Sequence, residues 1–245
     1  MHSTKTRGIV LKSLNFDEAD KILVIFTERF GKIRAIAKGV RKIKSKLAGS
    51  LEPFMILDLQ LHEGKTFYII TGSVIINEFP NLHENLKNIS KIFYLGELID
   101  KFSGEGEKNN EVFDLFAKIL ELSEKCDNDI LIRAFELKLL LLSGFHPELY
   151  ECIHCKKKIS PGNNYWDHVE GGLICEACNQ DLRHGNLVSD NLIKITRYFE
   201  REDFVVINQL KVTKSLENES KQVLGGYIEH ILERELKSKR FLEML

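Results

Sequence analysis

Met55-Ile-Leu-Asp-Leu-Gln-Leu-His62 has a period of two, with Met55, Leu57, Leu59 and Leu61 on one face and Ile56, Asp58, Gln60 and His62 on the other. Successive side chains of a strand point to opposite faces, so this octet predicts a strand with one face against a core. Four more β-rich runs flank it: Ile9-Val-Leu11, Ile22-Leu-Val-Ile-Phe26, Ile33-Arg-Ala-Ile-Ala37 and Phe67-Tyr-Ile-Ile-Thr71. Turn signals separate them at Phe30-Gly-Lys32, along a basic stretch ending near Gly49, and at Glu63-Gly-Lys65. Five short strands between Gly8 and Phe79 predict a small barrel. The OB-fold is the commonest such barrel on nucleic acid, and an SH3-like barrel or sandwich is the alternative.

After Pro80 the period becomes helical. Leu82, Leu86, Ile89, Ile92-Phe93 and Leu98-Ile99 recur at three- and four-residue spacing, as do Val112, Leu115-Phe116 and Ile119-Leu120. Ile130 to Leu142 is apolar on nearly every side, which predicts a central helix that Gly144 and Pro147 end. Two more helices follow the cysteines. The expected class is therefore α+β, with a barrel domain over residues 1–80 and a helical domain over 81–245 that carries the cysteines at 152–178.

The chain has 245 residues, 43% of them hydrophobic, enough for a sizeable core. No run approaches the roughly 20 apolar residues of a membrane span, and Met1 to Gly8 lack the apolar stretch of a signal peptide, so the expectation is a cytosolic protein. The net charge of −1 conceals a strong polarity. Residues 1–50 hold twelve Lys and Arg against four acids, a balance of +8, which leaves −9 for the remainder. A basic lobe of this kind favours a polyanion as partner.

Cys152-Ile-His-Cys155 and Cys175-Glu-Ala-Cys178 lie 19 residues apart, the spacing of a four-cysteine zinc site. Tyr165-Trp166 and Gly171-Gly172 suggest a hairpin that brings the two knuckles together. Four thiolates complete the tetrahedral shell of Zn2+ and leave no position for water, so such a site is structural. Reduced cysteines without a metal, or a pair of disulfides, are the alternatives. His154 lies between two ligands and is read as exposed, His168 and His184 have no partner at ligand spacing, and Cys126 reads as a small core residue.

Lys38-Gly-Val-Arg41-Lys42-Ile-Lys44-Ser-Lys46 carries five cations and no acid. On a turn between barrel strands these side chains can spread along a phosphate backbone, a mode sensitive to salt and largely blind to sequence. Arg7, Lys12, Lys21 and Arg34 on neighbouring strands extend that footprint; the alternative is a merely solvated charged surface. Phe16, Phe26, Phe30, Phe67 and Tyr68 are the aromatics available for stacking bases, and most of them fall at core positions. Gly64-Lys65-Thr66 is not a P-loop, because residue 59 is Leu and the context is a hairpin. G-x-S-x-G and H-E-x-x-H are absent, and no small-molecule substrate is implied.

Three ordered stretches carry a family resemblance: Arg7-Gly-Ile-Val-Leu-Lys12 with Glu18-Ala-Asp-Lys-Ile22; Gly31-Lys-Ile-Arg34 leading to Ala37-Lys-Gly-Val-Arg41; and Arg133-Ala-Phe-Glu-Leu137 before Gly144-Phe-His-Pro147. With the cysteine quartet and Glu235-Leu-Lys-Ser-Lys-Arg240, they make the whole chain resemble the bacterial RecO family of recombination mediators. The resemblance implies an N-terminal OB-fold, a helical domain around zinc knuckles and no catalytic residue. It also implies binding of single- and double-stranded DNA, annealing of complementary strands, partnership with RecR, contact with the acidic tail of the single-stranded DNA-binding protein, and loading of RecA. Lys38, Arg41, Lys42, Lys44 and Lys46 match the family's basic stretch. Arg133, then Lys138, are the candidates for the acidic tail, unless Arg133 simply pairs with a nearby carboxylate. The competing reading is an RNA-binding transcription or translation factor built on the same barrel and a zinc ribbon.

Overall fold

The computed structural model describes residues 3–238, which form two compact units: residues up to Lys125 with Lys237 and Ser238, and Cys126–Leu236. Lys239 and Arg240 of the closing basic segment lie outside the described residues.

In the first unit, β1 (Ser3–Phe16), β2 (Asp20–Thr27), β3 (Gly31–Ala37), β4 (Ile56–His62) and β5 (Tyr68–Asn77) close a barrel in the order β1-β2-β3-β5-β4. The long β1 pairs antiparallel with both β2 and β4, and a short parallel pairing of β3 with β5, Ala35 beside Tyr68 and Ile36 beside Ile69, completes the circuit. Antiparallel meander plus parallel closure is the arrangement of an OB-fold. The alternation that predicts β4 is realised: Leu57, Leu59 and Leu61 are buried with Val10, Leu23, Ile25, Ile33, Ala35 and Ile70 inside the barrel. The β2–β3 turn requires glycine at 31. Its φ is 63°, and a Cβ there would stand 1.9 Å from the Glu107 carbonyl oxygen.

Two helices, α1 (Leu86–Phe102) and α2 (Asn110–Ser123), start at Asn85 and Asn109, whose side chains accept from the amides of Asn88 and Val112. Periodicity alone groups them with the cysteine-bearing part, but they pack on the barrel. Phe54 meets Phe93 edge to face at 4.9 Å and lies so close to Gly96 that a Cβ there would come 2.3 Å from its ring. Phe26 of β2 meets Phe113 of α2 at 6.0 Å.

The second unit is built on α3 (Ile130–Leu142), ten of whose thirteen residues are buried. β6 (Asn164–Asp167), β7 (Gly172–Cys175) and β8 (Asn186–Val188) form a small antiparallel sheet in the order β7-β6-β8, with α4 (Glu176–Leu182) directly after β7. Around α3 pack α5 (Asp190–Arg201), α6 (Phe204–Ile207) and α7 (Lys214–Leu232), capped at their starts by Ser189, Asp203 and Thr213. Trp166 of β6 is buried and meets Tyr227 of α7 edge-on at 5.8 Å. No helix of the described residues is long and apolar enough to cross a membrane.

Candidate nucleic-acid interface and metal centre

The basic segment lies in the β3–β4 connection, where Lys38, Arg41, Lys42, Lys44 and Lys46 are all exposed. A backbone bond from the Arg41 amide to the Ala19 carbonyl, 2.9 Å, ties this loop to the β1–β2 hairpin, and the Arg41 guanidinium donates to the carbonyls of Asp17 and Glu18. Among the described residues, Lys38, Lys42, Lys44 and Lys46 have no carboxylate within salt-bridge range.

The cations on the strands are placed differently, each facing an acid. Arg7 meets Glu28 at 2.8 Å, Lys12 meets Asp100 at 2.6 Å, Lys21 meets Glu52 at 3.2 Å and Arg34 lies 3.5 Å from Glu105. The hydrogen bond to Arg7 holds the Glu28 carboxyl below its usual range and raises Arg7 in turn. Of the aromatics, Phe26 is in the core, Phe30 is half-buried against Tyr68 at 5.5 Å, and Phe67 is half-buried. Phe16 is 41% exposed at the tip of the hairpin that the basic loop docks on.

The cysteines converge as their spacing predicts. Pairing of Tyr165 with Ile174 and Trp166 with Leu173 forms the β6–β7 hairpin, which ends in Cys175, and α4 carries Cys178. The first knuckle closes on itself through Cys152 N–H to the Lys157 carbonyl, 2.8 Å, and is tied to β7 by Ile153 N–H to the Leu173 carbonyl, 3.0 Å. The four Sγ atoms lie within 4.8 Å of one another. A tetrahedral ion with bonds near 2.3 Å sets sulfur atoms about 3.8 Å apart, and Cys155 Sγ and Cys175 Sγ stand at 3.8 Å.

The electrostatics of the quartet point the same way. Burial pushes the Cys152 thiol up, yet backbone N–H groups of Cys155, Cys175 and His154 draw it down to about 6. Hydrogen bonding with Cys155 and Cys175 pushes the Cys178 thiol up to about 12. Backbone donors thus favour one thiolate, and a metal cation would neutralise the negative charge that four of them gather.

The family model described as "Recombination protein O N terminal" matches residues 1–79, and that described as "Recombination protein O C terminal" matches residues 83–240. The chain belongs to the RecO family. It is 36% identical over its full length to DNA repair protein RecO of Dehalococcoides mccartyi strain 195, covering 96% of that protein. It is also 37% identical to DNA repair protein RecO of Alkaliphilus metalliredigens, with 94% of each chain covered. The RecO of Desulforamulus reducens is 32% identical, over 98% of this chain and 94% of the relative. Membership in the RecO family places the protein in DNA repair and recombination.

Two placements in this chain differ from the sequence-based expectation. Arg133, expected to face an acidic tail, is buried in α3 and contacts Glu136 at 2.7 Å, the pairing that was its structural alternative; a guanidinium 6% exposed is not presented to a partner. Lys138, on the same helix, sits 6.0 Å from the Phe204 ring. His184, which has no partner at ligand spacing, is brought to Asp167, with His184 Nδ1 3.2 Å from Asp167 Oδ2 and the His154 ring nearby. Cys126 is half-buried, and burial pushes its thiol up.

Proposed function

We propose that the protein is a non-catalytic recombination mediator that holds single- and double-stranded DNA on its OB barrel through the 38–46 loop, anneals complementary strands, and with RecR helps a recombinase load. One observation carries this reading: among the described residues, Lys38, Lys42, Lys44 and Lys46 project from the barrel without a carboxylate partner, in a chain of the RecO family. Unpaired exposed cations release the counterions condensed on nucleic acid at little cost to the fold. Arg7, Lys12, Lys21 and Arg34 would have to exchange Glu28, Asp100, Glu52 and Glu105 for phosphate, so they extend the footprint but contribute less. Phe16 offers one exposed ring beside the loop, and a grip of this kind is mainly electrostatic.

Annealing follows from the same charges. Two strands repel one another, and a surface that neutralises both without reading their bases lowers the cost of their encounter. The cysteine quartet suits Zn2+, which when bound would clamp the knuckle, the hairpin and α4 with no position left for water. The acidic tail of the single-stranded DNA-binding protein remains a proposed partner. The inward pairing of Arg133 speaks against that residue as the contact, and Lys138 stays a candidate for it. We read the protein as cytosolic, consistent with free cysteines and a metal site.

The test is to mix labelled complementary DNA strands, coated with their binding protein, and follow duplex formation with and without the protein. Accelerated pairing without nucleotide hydrolysis is expected. Binding of RNA in preference to DNA, with no strand pairing, would favour the zinc-ribbon RNA-binding reading instead.

A further inference from the structure

We infer that His154, Asp167 and His184 form a second, solvent-open site for a divalent transition-metal ion, separate from the cysteine quartet. One ligand atom from each of the three lies within 4.8 Å of the other two. Asp167, at the end of β6, is 3% exposed, and its Oδ1 accepts from the amides of Val169 at 2.6 Å and Glu170 at 3.2 Å. Those bonds fix the carboxylate plane and leave Oδ2 directed at His184. The turn after α4 is itself held: Arg183 takes a left-handed conformation with φ 55°, and the Gly185 amide donates to Asn179 Oδ1 at 3.0 Å. His184 is thus presented from a built turn, and His154 faces it from the first knuckle with ring centroids 6.0 Å apart at 75°.

Bonds of about 2.0–2.1 Å from a metal to nitrogen and oxygen donors place neighbouring donors roughly 2.9–3.4 Å apart. The 3.2 Å between His184 Nδ1 and Asp167 Oδ2 already has that value. Rotation of the exposed His154 ring closes the remaining edges. Two imidazoles and one carboxylate suit Zn2+, Co2+, Ni2+ or Cu2+ better than Mg2+ or Ca2+, which take oxygen ligands. Three protein ligands leave positions for water, so this ion exchanges where the one held by four thiolates does not. Its effect would be to tie the first knuckle, β6 and the segment after α4 to one another.

The experiment adds Co2+ to the full-length, untagged protein as purified and measures bound cobalt by equilibrium dialysis alongside its absorption spectrum. One equivalent of cobalt should bind without the intense charge-transfer band of a cobalt thiolate, and the doubly substituted H154A/H184A protein should lose that equivalent. Both histidines are exposed, so the variant should keep its far-ultraviolet spectrum and thiolate-bound metal. No added binding, binding unchanged in H154A/H184A, or binding only with a thiolate band would overturn the inference. Thiolate-bound zinc is measured separately in the starting protein, so failure of the cysteine site is distinguishable from failure of this one.

Discussion

Arg133 Nη1 lies 2.7 Å from Glu136 Oε1, one helical turn along α3, with both side chains almost wholly removed from solvent. Taking a charged pair out of water is costly, and removing one member leaves the other charge buried. Arg133→Ala is therefore expected to destabilise the protein by about 3–5 kcal/mol. The double replacement R133M/E136L should restore most of that loss. Urea unfolding of the three proteins measures both effects. If R133A unfolds like wild type, the pair is not holding α3, and recognition of an acidic partner would regain support as the role of Arg133.

Neutralising the unpaired loop cations should weaken DNA binding without weakening the fold. For K38Q/K42Q/K44Q/K46Q, the slope of log affinity against log salt on single strands should fall by about 3, near 0.7 for each lost cation. R34Q, which removes a cation paired to Glu105, should change the slope less. Titrations at several salt concentrations decide this, and equal slopes in the quadruple variant and wild type would remove the loop from the interface.

Cys152 is fully buried and its sulfur accepts from the Cys175 amide at 3.4 Å, so Cys152→Ser should perturb the hairpin as well as remove a ligand. Loss of a metal ligand is loss of folding free energy. At about 3 kcal/mol, the melting temperature would fall by roughly 10 °C. A strong chelator should lower the wild-type melting temperature and leave C152S unchanged, with metal content measured in parallel. Identical melting of wild type with and without chelator would contradict a structural metal.

Asp100 of α1 accepts from Lys12 at 2.6 Å and lies 3.3 Å from Lys32. Burial pushes its carboxyl up, but the two ammonium groups outweigh burial and hold it below the ordinary value of 3.8. A group depressed on folding binds protons more readily in the unfolded chain. Its contribution is therefore complete above about pH 4 and is lost as pH falls through the depressed folded value. Asp100→Asn should cost about 1–2 kcal/mol at neutral pH, and its deficit relative to wild type should shrink in stronger acid. A deficit constant from neutral pH down to pH 2 would refute that assignment.

Strand positions, the central helix and the cysteine quartet were legible in the sequence because each is written in local spacing. Leu57, Leu59 and Leu61 alternate by geometry alone, α3 is apolar all round because neighbours enclose it, and two C-x-x-C pairs can meet one tetrahedral ion wherever a hairpin joins them. The acid-free run from Lys38 to Lys46 was equally plain. What the linear order could not decide was which charges find partners. Lys12 meets Asp100 and Arg34 meets Glu105 across the fold, while Lys38, Lys42, Lys44 and Lys46 meet no carboxylate among the described residues, so identical residue types end with different freedom. Tertiary structure likewise turned Arg133 inward, set α1 and α2 on the barrel, and gathered His154, Asp167 and His184 from three separate segments. Periodicity specifies which face of an element is apolar, whereas ion pairing and metal ligation depend on distances in space, which only packing sets.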